Sequence, residues 1–177
     1  MLRLFAAVAV PEDLGEALAR RQKGVQGARW RPPESLHITL RFFGDVPENV
    51  ADDIDSALSV VSGEPLTLEL SGVGTFGEGA DVHVLWAGVA ENPALRRLAK
   101  AVETAARRAG LKPESRAYKP HVTLAYLRRA DPAEVAAWVQ THNLLRSPPF
   151  VARAFGLYSS WRTDEGLAYR LEQAYSL

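Results

Sequence analysis

Two tetrapeptides, His37-Ile38-Thr39-Leu40 and His121-Val122-Thr123-Leu124, begin 84 residues apart and share one pattern. With 4 His, 7 Thr and 22 Leu among 177 residues, chance supplies about 0.02 copies of His-x-Thr-Leu, and this chain holds two. Their surroundings repeat as well. Apolar alternation predicts strands over Leu2–Val10 and Leu36–Phe43, with helical spacing after each, over 11–23 and Pro47–Val61. The same strand–helix–strand–helix order returns over Val82–Val89, 92–109, His121–Leu127 and 131–140. Each tetrapeptide therefore opens the second strand of its half, as an internal duplication requires. A chain built this way is predicted to form one α+β domain over residues 1–177.

Local signals fix the element ends. Asn92-Pro93 supplies a cap and a first-position proline, and Gly110 lies past the end of that helix. Asp131-Pro132-Ala133-Glu134 reads as a capping box. Pro65–Phe76 and Val82–Val89 read as a hairpin around Gly77-Glu78-Gly79-Ala80-Asp81, and Phe150–Ser159 and Leu167–Tyr175 as closing strands. The glycines at 72–77 are followed by neither Lys-Ser/Thr nor a helix start, so they are not a phosphate loop.

Strand alternation places His37, Thr39, Arg41 and Phe43 on one face, opposite Leu36, Ile38, Leu40 and Phe42. It likewise places His121 and Thr123 opposite Val122, Leu124 and Tyr126. An imidazole and a hydroxyl thus stand roughly 6–7 Å apart on each strand. If the halves pack as partners, two such pairs converge in the groove between them. Two histidines titrating near pH 6.5 make a generic acid–base pair: one takes a proton from water, the other gives one to a departing oxygen. Threonine hydroxyls beside them suit the non-bridging oxygens of a phosphate. No metal or cofactor is needed for this chemistry, and no third ligand stands at metal-site spacing.

Composition narrows the classes. The absence of cysteine excludes disulfide scaffolds, Cys-based metal sites and thiol nucleophiles. No apolar run reaches the ~20 residues needed to span a bilayer, and the apolar N-terminus meets Pro11-Glu12-Asp13 at once, so it reads as a strand. An intracellular, cytoplasmic monomer is expected. Net charge is zero, but residues 1–88 carry 7 basic and 13 acidic side chains and residues 89–177 carry 14 and 8. That swing from −6 to +6 is compatible with a polyanion-facing second half or with charged helix faces. Arg96, Arg97, Lys100, Arg107 and Arg108 read as the solvent face of the 92–110 helix.

The two motifs, with Arg3–Ala7, Trp30-Arg31-Pro32, His37–Val46, Val84–Val89, Pro120–Ala125 and Leu157–Ser160, make the chain resemble the 2H phosphoesterases. Within them it is similar to the RNA 2′,3′-cyclic phosphodiesterases, also called 2′-5′ RNA ligases. One mild departure is Tyr118-Lys119 before Pro120, where an Arg-type residue is common in the family. The resemblance implies a bilobal fold of two pseudo-symmetric antiparallel sheets with outer helices and a central cleft. It implies hydrolysis of a terminal 2′,3′-cyclic phosphate on RNA, tRNA fragments among the candidate substrates, to a 2′-phosphomonoester, with weak reversible 2′-5′ ligation. It assigns His37 as proton donor, His121 as proton acceptor, and Thr39 and Thr123 as phosphate ligands. The residues alone treat the two histidines as equivalent.

Other readings stay open at this point. Arg41 is a candidate phosphate contact or a rim salt bridge, and Phe43 a base-stacking residue or edge packing. Lys119, Arg128 and Arg129 flank the second motif as RNA-backbone candidates or solvated strand ends. Trp30 and Trp86 read as core, and His83 and His142 as structural or surface residues. The same site also suits 2′-5′ oligonucleotides or small cyclic phosphates, and a non-catalytic RNA-binding module is the third alternative.

Overall fold

The computed structural model describes residues 1–177. Ten strands and four α-helices run in the order β1 (Leu2–Ala9), α1 (Glu12–Ala19), β2 (Ala28–Trp30), β3 (His37–Val46), α2 (Glu48–Ser59), β4 (Leu66–Leu68), β5 (Leu70–Phe76), β6 (Val84–Val89), α3 (Pro93–Arg108), β7 (His121–Leu127), α4 (Pro132–His142), β8 (Phe150–Ala152), β9 (Ala154–Thr163) and β10 (Gly166–Ser176). The hydrogen-bonded order is β10-β9-β1-β3-β7-β6-β5, with β2 also on β7. All pairings are antiparallel. Strands β3 and β7 share a single register pair, Ile38 with Val122. One eight-stranded main sheet results, made of two four-stranded antiparallel sheets, β10-β9-β1-β3 and β5-β6-β7-β2, joined at the centre of the two motifs.

Helices cover one side of these sheets. On α3, Leu95, Leu98, Ala99, Val102, Ala105 and Ala106 are buried, the i, i+3, i+4 stripe that faces a core. Asn92 Oδ1 accepts from Leu95 N–H at 3.0 Å and stops the helix N-terminus fraying. The helix packs on α2 and β3. Asp131 caps α4, accepting from Ala133 N–H, but the expected capping box does not close. Glu134 instead accepts from Gln26 N–H, joining α4 to the turn before β2.

Two predicted strands each split in the structure. Leu66–Leu68 leaves the main sheet to pair with Phe150–Ala152, while Leu70–Phe76 and Ala154–Thr163 stay in it. The β5–β6 hairpin turns at Gly77 (φ +84°), where a Cβ would lie 2.2 Å from the Asp81 carbonyl oxygen, so glycine is required there. A single cluster of 35 buried residues, including Ile38, Leu40, Val122 and Leu124, runs beneath both sheets. No helix is long and apolar enough to cross a membrane.

Candidate active site

Ile38 and Val122 are fully buried, which turns His37, Thr39, His121 and Thr123 to the opposite, partly exposed face. Their antiparallel register sets His37 across from Thr123 and Thr39 across from His121. The two imidazoles occupy one diagonal, with Cβ atoms roughly 7–8 Å apart. The four motif residues expected to meet are thus gathered at the seam.

Both rings are oriented in the same way. His37 Nδ1 lies 2.8 Å from the Ser35 carbonyl oxygen, and His121 Nδ1 lies 2.6 Å from that of Lys119. A carbonyl only accepts, so Nδ1 carries the proton in each ring and Nε2 is left for other partners. His83 makes the same bond to Asp81 O at 3.0 Å on the exposed hairpin, with no threonine beside it. This geometry alone is no signature. Tyr118 Oη donates to the Thr39 carbonyl at 2.9 Å, tying the approach to the second motif onto the first.

A bulge falls on the last residue of each motif. On β3, Ala6 and Ala7 face Arg41 and Thr39, leaving Leu40 extra; on β7, Leu85 and Trp86 face Ala125 and Thr123, leaving Leu124 extra. A second shift on β3 sets Phe5 opposite Phe42. These bulges overturn three expectations drawn from strict alternation. Arg41 turns away from the His37 face to the helix layer, where Nε reaches Glu103 Oε2 at 2.5 Å and Nη1 lies 3.5 Å from Glu114 Oε2. It also donates to the carbonyls of Phe42 and Lys112. The structure thus makes Arg41 an anchor for the 112–114 segment, with its charge already matched. Phe43 is buried in the core, and Phe42, 54% exposed, takes its place beside Phe5. Tyr126 comes to the motif side, near enough to influence Tyr169.

Aromatic residues from distant strands wall in the two rings unequally. Phe5 stacks on His37 with centroids 4.7 Å apart, Tyr169 meets it edge-on at 5.3 Å, and Tyr158 lies parallel at 6.5 Å. Burial, with Arg31 and His121 adding repulsion and the Ser35 bond opposing, lowers the His37 pKa to about 4. His121 has Phe76 edge-on at 4.8 Å and Trp86 at 6.4 Å. Its pKa is also lowered by burial, against the Lys119 bond. Trp86, expected in the core, is half-buried and packs across Gly74, where a Cβ would come within 2.4 Å of its ring. Its Nε1–H is the one buried side-chain polar group with no partner.

Among the remaining expected residues, Trp30 is half-buried against Trp138. The Lys119, Arg128 and Arg129 side chains are exposed, and His142 packs on Trp138 away from the motifs. No group of three His, Cys, Asp or Glu is placed to hold a metal ion. Two shallow hollows lie elsewhere, by Ser62–Leu66 with α3 and by Gly77–Gly79 with α4, and neither is lined by a histidine. The paired rings and hydroxyls mark the site. Sequence reading missed Arg31, Tyr169, Phe5 and Phe76 as site residues: Arg31 and Phe5 lie in segments that carry the family resemblance, but only the fold brings all four to the histidines.

Comparison with known proteins identifies the family. The family described as the 2′-5′ RNA ligase superfamily matches residues 10–164. An RNA 2′,3′-cyclic phosphodiesterase of Archaeoglobus fulgidus is 33% identical over 172 residues, covering 96% of this chain and 97% of that protein. One from Methanocaldococcus jannaschii is 29% identical, covering 96% and 98%. A crystal structure from Thermus thermophilus superposes with a TM-score of 0.81 at 26% identity, covering 99% of this chain and 98% of that one. Escherichia coli LigT, solved with 3′-AMP, gives 0.80 at 25% identity over the same shares. With this match along most of its length, and with both histidine motifs at one seam, the chain belongs to the 2′-5′ RNA ligase superfamily of 2H phosphoesterases.

Proposed function

We propose that this protein is an RNA 2′,3′-cyclic phosphodiesterase, opening the terminal cyclic phosphate of RNA to a 2′-phosphomonoester. The observation that carries this reading is the Ile38–Val122 pair, because it sets two histidines and two threonines around one point on the exposed side of the seam. The names of the Archaeoglobus and Methanocaldococcus relatives support the substrate class.

In the reaction, His121 takes a proton from water as the water oxygen bonds to phosphorus. The bond from phosphorus to the 3′ oxygen breaks, and His37 gives that oxygen a proton. Thr39 and Thr123 donate hydrogen bonds to the non-bridging oxygens, where negative charge gathers. The donor and acceptor roles follow those of the family. His37 starts from a pKa of about 4, so it is largely neutral before substrate binds. A cyclic phosphate carries one negative charge, and in a site shielded from water that charge favours imidazolium. Substrate binding thus restores the proton that His37 donates. Phe42, exposed beside Phe5, offers a flat face for the terminal base. With an RNA 5′ hydroxyl attacking phosphorus in place of water, and the same 3′ oxygen leaving with the His37 proton, the product is a 2′-5′ linkage, a weak side reaction.

The test is incubation with an oligonucleotide ending in a 2′,3′-cyclic phosphate, followed by locating the product phosphate. A 2′-phosphate supports the reading. An untouched substrate, or a 3′-phosphate, contradicts it.

A further inference from the structure

Arg31 is the only charged residue in the buried set, 8% exposed, and it takes part in none of the ion pairs. It follows β2, where its backbone N–H donates to the Leu124 carbonyl at 2.8 Å and fixes it beside the second motif strand. The side chain then crosses to the other lobe. Nη2 donates to Leu167 O at 2.8 Å, and the guanidinium carbon lies 5.0 Å from the Tyr169 ring centroid. Tyr169 is the ring that meets His37 edge-on. Burial pushes the Tyr169 hydroxyl up to about 12, so it stays protonated and supplies no counter-charge.

A buried guanidinium is ordinarily paired with a carboxylate, because desolvating an unmatched charge is costly. Here one carbonyl and one aromatic face accompany a planar fork of five N–H donors, a shape suited to phosphate. The fork lies close enough to the site for its charge to act on His37. Arg41 is taken up by Glu103 and Glu114, and Arg128 and Arg129 are exposed.

We propose that Arg31 is a phosphate-binding residue, its remaining N–H groups taking oxygens of a phosphate at the RNA 3′ end while Tyr169 holds the guanidinium flat. The identity of the ligand rests on the reading of the site as an RNA-end phosphodiesterase. Two phosphates share the required chemistry: the terminal one between the histidines and the phosphodiester one nucleotide upstream.

Calorimetric titration of wild type, Arg31→Gln and Arg31→Lys with inorganic phosphate and with a 2′-phosphate-ended dinucleotide separates them. Arg31→Gln is expected to weaken phosphate binding roughly 10- to 100-fold. Arg31→Lys, which keeps charge but loses the fork, is expected to lie between. A loss with both ligands assigns the terminal phosphate, and a loss confined to the dinucleotide assigns the upstream one. Unchanged affinity for both ligands in folded Arg31→Gln overturns the proposal. If that variant does not fold, wild-type affinity in Arg31→Lys overturns it. Hydrolysis of a cyclic-phosphate-ended dinucleotide by wild type is followed in parallel. Arg31-dependent phosphate binding without hydrolysis removes the RNA-end reading and leaves the phosphate site standing. Normal hydrolysis with Arg31-independent binding removes the Arg31 proposal alone.

Discussion

The two motif strands start from the same tetrapeptide pattern and end as different chemical environments. His37 stands among Phe5, Tyr158 and Tyr169, strands that close around it from the termini of the chain, with Arg31 nearby. His121 has Phe76 and Trp86, from the hairpin next to it in the sheet. Both rings are held through Nδ1 by a carbonyl two residues back. The motif and its local backbone are therefore symmetric, and the non-local aromatic wall is not. The repeated motif supplies two alike imidazoles, which the proposed reaction uses as proton carriers, and burial lowers the pKa of both, that of His37 to about 4.

The strongest way to break this comparison is to remove one ring at a time. His37→Ala and His121→Ala are each expected to lower kcat on a cyclic-phosphate-ended oligonucleotide by roughly 10²–10⁴-fold, with the circular dichroism spectrum unchanged. Full activity in either variant would mean the rings do not act together. Next in size, Thr39→Val and Thr123→Val are expected to cost roughly 10- to 100-fold in kcat, since each removes a donor while keeping strand shape. Equal losses would extend the symmetry to the hydroxyls. Loss from only one would confine it to the imidazoles.

Acidity sharpens the comparison further. Both histidine pKa values are lowered, His37 to about 4, so kcat/KM, which reports the free protein, is expected to peak below pH 6.5. The kcat optimum is expected at higher pH, because bound phosphate raises both values. Coincident optima would mean that substrate charge does not reprotonate His37. The same shifts act on stability. Groups depressed in the folded state favour it above pH 6.5, and that contribution is lost as pH falls toward about 4, where the unfolded chain binds the extra protons.

The smallest effect concerns Arg41. Its 2.5 Å pair with Glu103 is largely shielded, with side-chain exposures of 12% and 26%. Arg41→Ala is expected to destabilise the fold by about 1–3 kcal/mol, read from denaturant unfolding, with KM nearly unchanged. A many-fold rise in KM without loss of stability would restore Arg41 as a substrate contact.

These residues also show what was legible beforehand. The solvent face of α3, with Arg96, Arg97, Lys100, Arg107 and Arg108, and the face shared by His37 and Thr39 follow from periods of 3.6 and 2, and the α3 cap from Asn92 itself; all three are found in the structure. The placements of Arg41, Phe43 and Tyr126 fail for one common reason. A bulge inserts a residue after which alternation reverses, and no local propensity announced the shifts on β3 and β7. Arg31 and Tyr169 were illegible for another reason. They lie 138 residues apart in sequence, and their stacking exists only once the fold lets the Arg31 side chain reach β10.

The most direct measurement is a histidine-ring NMR titration with and without inorganic phosphate. Raised pKa values for His37 and His121 together, with His83 and His142 unmoved, are the predicted result. Movement of one motif ring alone, or of neither, would contradict a phosphate held between them.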